Sequence, residues 1–233
     1  MPGFLNSSSR IPPKKVQTVE VVIFLLLILP SMFLSSAVTE PENLTFLLVA
    51  GSTILNDIPL LCLVVYFLWR NEEAFQSIGL TLRNGWKEAI IGAVLFVPLA
   101  LFMGLIGRLI RAAGLSVPQE TPSFLVPSGG GQITIAFLFL IVVAVSEEVI
   151  FRGYLIRRFT AVTRNPVIAL LLSSVVFAMG HGYERSGGAI GVGILGLIFG
   201  TVYLWRGSLI APMVMHFIQD FIGIILIPFH VLS

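Results

Sequence analysis

Glu147 and Glu148 stand side by side with Arg152 four residues on; Phe177 and His181 follow at the same spacing, and His216 and Asp220 repeat it. On a helix each i, i+4 pair lies on one face, so Arg152 can neutralise Glu148. Glu147, about 100° round the helix, points elsewhere. One carboxylate is then a salt-bridge partner and the other is free for chemistry. An acid and two imidazoles at one point can hydrolyse a peptide bond. Glu147, assisted by His181, would take a proton from water, the hydroxide would attack the carbonyl, and His216 would donate to the oxyanion. The same residue types suit zinc, with His181, His216 and a Glu as ligands, although the HExxH helix is absent. Two other readings need no reaction: a structural polar network, or a path for ions or protons.

These residues have to be positioned by apolar helices. Of the 233 residues, 56% are hydrophobic and 11% charged, and the mean hydropathy is +0.98. Soluble domains hold roughly 25% charged residues, so the chain reads as an all-α polytopic membrane protein whose first partner is the lipid bilayer. A net charge of +2 implies no nucleic-acid partner. Spans of about 20 apolar residues are expected at 19–38, 46–69, 89–110, 133–154, 167–181, 189–205 and 209–231, with an eighth, interfacial helix as the alternative; 167–181 is short. A charged side chain at the bilayer centre costs about 2.5–3.5 kcal/mol on insertion scales, so the acids and Arg152 mark a functional site by default. If the fourth helix runs to Arg158, Glu147, His181 and His216 lie at depths of roughly 16, 22 and 12 Å, close enough for tilt to bring them together.

Basic residues set the expected orientation. Arg10, Lys14 and Lys15 precede the first span, Arg70, Arg83 and Lys87 follow the second, Arg157, Arg158 and Arg164 follow the fourth, and Arg206 follows the sixth. The alternate connections carry few, which puts the N-terminus in the cytoplasm. The chain divides into a tail, 1–18, read as disordered; N-terminal spans, 19–114; a loop rich in Pro, Ser and Gly, 115–132; and a working part, 133–231. In the N-terminal part Asp57, beside Asn56 and Pro59, is the main intramembrane acid, expected to meet Arg108, Arg111 or substrate. Cys62 reads as a small buried hydrophobe, and Pro212 as a kink that aims His216. Tyr183, Glu184 and Arg185 read as a connection that could gate the site, His230 as interfacial, and Asn43 as a sequon close to the membrane.

Taken in order on successive hydrophobic segments, Glu147-Glu148-x-x-x-Arg152, Phe177-x-x-x-His181 and His216-x-x-x-Asp220 resemble the CPBP family. These are the CAAX proteases and bacteriocin-processing (Abi) membrane proteins, which include the Ras-converting type of prenyl-protein endopeptidase. The resemblance covers 133–224. It implies an intramembrane glutamic endopeptidase with no metal or other cofactor, acting on a lipidated protein or a peptide. Glu147 and His181 would activate water, His216 and Asp220 would form the oxyanion hole, and Glu148, Arg152 and Phe177 would support them. The last position is Asn or Asp in such proteins. An ionised Asp220 cannot donate to an oxyanion, so it is either protonated there or orients and charges His216.

Overall fold

The computed structural model describes residues 12–37, 44–117, 121–181 and 185–228. All regular structure among them is helical, in seven helices. They are α1 (Lys14–Ala37), α2 (Phe46–Arg70), α3 (Gly85–Ala112), α4 (Gly130–Thr163), α5 (Pro166–Met179), α6 (Arg185–Arg206) and α7 (Ile210–Leu226). Among the described residues five helices are long and apolar enough to cross a bilayer, and the protein is an integral membrane protein. Asn43, Tyr183, Glu184 and His230 lie outside the described residues, as does most of the expected tail. α1 starts at Lys14 rather than at 19.

α4 is the axis of the bundle. It packs against α2 on one side, α1 and α5 at its C-terminal end, and α7 alongside, while α3 closes the outside against α6 and α7. At about 1.5 Å per residue its 34 residues run on the order of 50 Å, longer than a hydrocarbon core is thick, and Glu147 falls near its middle. α5 is the opposite case. Its 14 residues reach only about 21 Å, so the turn beyond Met179, which holds His181, is still within the thickness of the membrane. Asn165 caps this helix by accepting from the Val167 and Ile168 amides, with Pro166 at its first position.

The C-terminal end of α4 is held by a buried ion network. Arg158 binds Glu20 of α1 (2.9 Å) and Glu73 (2.5 Å), Arg157 binds Glu73 (2.9 Å) and the Ser77 carbonyl (2.9 Å), and Tyr154 donates to Glu20 (3.2 Å). The short turn 75–79 is clamped in turn. Gly153 of α4 allows its approach, since a Cβ there would meet the Ile78 carbonyl at 3.1 Å. The Gly79 carbonyl, at a left-handed residue (φ +80°), accepts from the Leu209 amide and fixes the start of α7. A basic end that sequence reading credits only with orientation is therefore also a structural clasp.

Two expectations are corrected. Cys62 is exposed on the bundle surface, because α2 presents that face outward. Pro212 lies in the first turn of α7, where its missing N–H removes no helical hydrogen bond, so it introduces no kink.

The crossing of α3 and α7 depends on Gly92, whose Cβ would stand 2.5 Å from the Ala211 carbonyl oxygen and 3.0 Å from Val214. Gly92→Ala is expected to destabilise the fold by about 1–3 kcal/mol through forced separation of the helices. Gly104→Ala in the same helix, which meets nothing within 4 Å, should leave the thermal midpoint in detergent unchanged or raised. Equal midpoints for the two variants would show that this crossing is not tight.

Candidate functional site

The three motifs meet around His216, in the middle of the bundle. α4 changes from α to π geometry at the first motif, with the π segment running Glu148–Leu155. π segments are rare and recur at functional sites, because an extra residue per turn re-aims side chains and leaves carbonyls without their usual partners. Ser173 of α5 satisfies one, donating to the Phe151 carbonyl at 2.7 Å. α7 makes the same change directly after the last motif, with a π segment at Phe221–Leu226. Both changes abut an acid of the site.

His216 is buried, at 4% exposure, with carboxylates facing both ring nitrogens. Nδ1 is 2.9 Å from Glu148 Oε1; Nε2 is 3.6 Å from Glu147 Oε2 and 3.3 Å from Asp220 Oδ2. The two neighbouring glutamates thus address opposite edges of one ring, which is how their 100° separation is used. Glu148 is fully buried and also binds Arg152 Nη1 at 2.8 Å, the expected i, i+4 pair. One arginine and one histidine sit among three carboxylates, so the basic groups of this layer are outnumbered by its acids.

Aromatic rings wall the cluster. The Arg152 guanidinium lies 4.1 Å from the centroid of Phe177 and 5.3 Å from that of Phe199. Phe199 of α6 stacks on His216 at 5.5 Å, and Phe177 meets the same ring edge-on at 6.1 Å. These faces exclude lipid and water from the ion pair, strengthening it, and restrict the imidazole to one plane.

His181 lies not on α5 but in the turn beyond it, since the helix ends at Met179 and Gly180 caps it. The i, i+4 relation survives: its Nδ1 is 3.1 Å from the Phe177 carbonyl, and its ring is 4.8 Å from that of Phe177. A carbonyl only accepts, so Nδ1 carries the proton and Nε2 is the basic atom. Phe177 therefore joins the two histidines, touching both rings. Asp57 of α2 comes to this side as well. It accepts from Ser146, the residue before Glu147, at 3.4 Å. The expectation that it would meet Arg108 or Arg111 is corrected.

Three polar atoms here are buried without a hydrogen-bond partner: Glu147 Oε2, Glu148 Oε2 and Arg152 Nη2. Native structures leave few such atoms, and a group of them marks a place where a polar ligand or reactant would be received. Among the described residues no three His, Cys, Asp or Glu side chains converge in a geometry that could hold a metal ion, so the zinc reading gains no ligand set. Phe199 and Ser146 are the site residues missed by sequence reasoning. Ser146 adjoins the first motif; Phe199 is one apolar residue among many in α6 and carries no signal.

Residues 129–222 match the family model described as type II CAAX prenyl endopeptidase Rce1-like. No curated protein matches the chain, and no solved structure does. The matched segment starts at the N-terminus of α4 and ends just past Asp220, so it contains all three motifs.

The Glu148–Arg152 pair carries a testable cost. Arg152→Met leaves Glu148 buried with only His216 beside it, and should destabilise the fold by about 3–5 kcal/mol, whereas Glu148→Gln combined with Arg152→Met should recover much of that loss. Unfolding in detergent checks this; losses that simply add would mean that the two side chains are not coupled.

Proposed function

We propose that this chain, whose residues 129–222 belong to the CAAX prenyl protease (CPBP) family, is an intramembrane glutamic endopeptidase. Its reaction is hydrolysis of a peptide bond near the lipidated C-terminus of a membrane-bound protein. One observation carries the reading. Glu147 Oε2 is buried, makes no hydrogen bond, and lies 3.6 Å from His216 Nε2, close enough for a base and an oxyanion donor to act from one side on the two oxygens of a single tetrahedral intermediate.

The steps are set by the atoms available. A water donates one proton to Glu147 Oε2 and is held through its other O–H by Nε2 of His181. As the proton passes to Glu147, the hydroxide oxygen bonds to the peptide carbonyl carbon, and the carbonyl oxygen becomes an oxyanion. His216 donates to it from Nε2. With Nδ1 also donating to Glu148, the ring is then an imidazolium, and the carboxylates of Glu148 and Asp220 are the counter-charges that favour this form. Asp220 in this scheme orients and charges His216 rather than donating itself. Collapse breaks the C–N bond, and Glu147 returns its proton to the leaving amine. Arg152, bonded to Glu148 at 2.8 Å, keeps it in place throughout.

A lipidated substrate is supported by the surroundings. An open apolar groove of about 560 Å³ runs between α1, α5 and α6, lined among others by Met32, Leu171, Ala178, Met179, Ile190 and Ile194. Its lining on α5 runs from Leu171 to Met179, the last residue of the helix. An isoprenoid chain could lie there in contact with lipid while its peptide reached the polar cluster. The N-terminus, on the charge pattern, faces the cytoplasm, where prenylated C-termini are exposed.

The test is cleavage of a farnesylated C-terminal peptide by purified protein in detergent, with a leader-type peptide in parallel. Wild-type protein should release the C-terminal fragment of the lipidated peptide, and Glu147→Gln should lose at least about 10²-fold in kcat, the scale of a general base. Activity should persist after treatment with a strong chelator. Full activity in Glu147→Gln would remove the proposed base, and loss on chelation restored by zinc would replace the mechanism with a metal-dependent one.

A further inference from the structure

Gln219 stands between the two residues of the last motif and takes no part in the network that they form. It lies in the α-helical stretch of α7 that ends at Asp220. Its side chain is half-buried, and no described residue hydrogen-bonds the amide. The other amides carried by the described α-helices are all bonded. Gln17 of α1 donates to the Pro12 carbonyl at 2.7 Å, Asn56 of α2 donates to the Asp57 carboxylate at 3.5 Å, and Gln132 of α4 accepts from the Ser128 amide at 2.9 Å. The direction of Gln219 follows from the helix. At about 100° per residue it falls between His216, about 60° away, and Met215, about 40° away. Both of these face inward: His216 is 4% exposed and bonded to Glu148 of α4, and Met215 is 1% exposed in a core formed with Leu99 of α3 and Phe199 of α6. One turn farther along the same face, Gln219 points into the bundle rather than at lipid, and its partial exposure is to an internal space.

An unpaired amide inside a membrane protein forfeits the hydrogen bonds that it would make in water, and native structures keep few such groups unless a ligand completes them. A primary amide offers two N–H donors and a carbonyl acceptor in one plane, a match for the C=O and N–H of a peptide group. Along α7, Gln219 is three residues from His216, a rise of about 4.5 Å. Consecutive residues of an extended chain are about 3.3–3.6 Å apart. With the scissile carbonyl at His216, the next peptide group of an extended substrate therefore comes opposite Gln219. We propose that Gln219 is a substrate-binding residue whose amide hydrogen-bonds the main chain of the peptide group beside the scissile bond and holds the substrate extended along α7. The contact reads backbone and not side chain. It touches neither the attacking water nor the oxyanion, so it is made alike in the bound substrate and in the transition state. The proposal rests on the endopeptidase reading of the site.

Gln219→Met keeps the length of the side chain and removes its donors and acceptor. In the farnesyl-peptide assay KM should rise about 10-fold with kcat within about threefold of wild type, the pattern of a contact made equally in ground and transition states. The thermal midpoint in detergent should be retained or raised. Two further peptides, each with an ester in place of the peptide bond on one side of the scissile bond, locate the contact. One of them should raise KM for wild-type protein and raise it no further for Gln219→Met. A KM for Gln219→Met equal to wild type overturns the proposal while leaving the endopeptidase reading intact, provided that Glu147→Gln is inactive alongside. Effects of the variant that simply add to those of both esters overturn it too, because the amide would then not meet the substrate main chain. Loss of folded protein in both Gln219→Met and Gln219→Leu, or a fall in kcat with KM unchanged, assigns Gln219 to helix packing or to the chemical step and equally overturns it. If wild-type protein cleaves neither the lipidated nor the leader-type peptide, the reading and the proposal fall together.

Discussion

A charge inside a bilayer has to be neutralised by the protein itself, and at this site Arg152 and His216 do that for Glu148. The arginine holds one oxygen of the carboxylate at 2.8 Å and the imidazole Nδ1 approaches the same oxygen at 2.9 Å. Each partner is buried, so removing one leaves the others as isolated ions in a low dielectric. The cluster thereby fixes the relative depth and rotation of α4 and α7. Every other feature of the site depends on that register, including which nitrogen of His216 faces Glu147.

Neutralising one glutamate is what leaves the other available. Glu147 and Glu148 are adjacent in sequence but face opposite edges of the same imidazole, and only Glu148 has a cation bonded to it. An enzyme that activates water inside a membrane needs such a division of labour, because two equivalent carboxylates would compete for one proton. The aromatic rings of Phe177 and Phe199 add to it by shielding the arginine side, while α5, too short to cross the membrane, stops at a depth where the His181 ring lies against Phe177. The second buried ion network, around Arg158, lies well along α4 and belongs to architecture. It ties α1 and the turn after α2 to the family-matched segment.

Much of this is legible in the residues. Three i, i+4 pairs, the run of apolar spans and the shortness of the fifth come directly from spacing and hydropathy, and the helices form where those patterns place them. Depth arithmetic brings Glu147, His181 and His216 to within tilt of one another. The features hidden from the sequence are effects of tertiary geometry. The α-to-π changes at Glu148 and Phe221 have no single-residue marker. Nothing in α6 distinguishes Phe199 from its apolar neighbours. Asp57 is visible as an intramembrane acid, but its partner is not, because Arg108 and Arg111 offer a charge match in sequence and only the packing of α2 on α4 shows that Ser146 is closer. Cys62 and Pro212 escape sequence reading for the same reason: the outward face of α2 and the start of α7 are set by neighbours.

The central claim is that Glu147 acts on water as a base and does not itself bond to the substrate carbonyl. A single turnover of excess protein on a farnesylated C-terminal peptide in water enriched in oxygen-18 tests it most directly. The account predicts one heavy oxygen in the newly formed carboxylate in that first turnover. An unlabelled carboxylate in the first turnover, with the label found in Glu147, would contradict it, since that oxygen would have come from the glutamate.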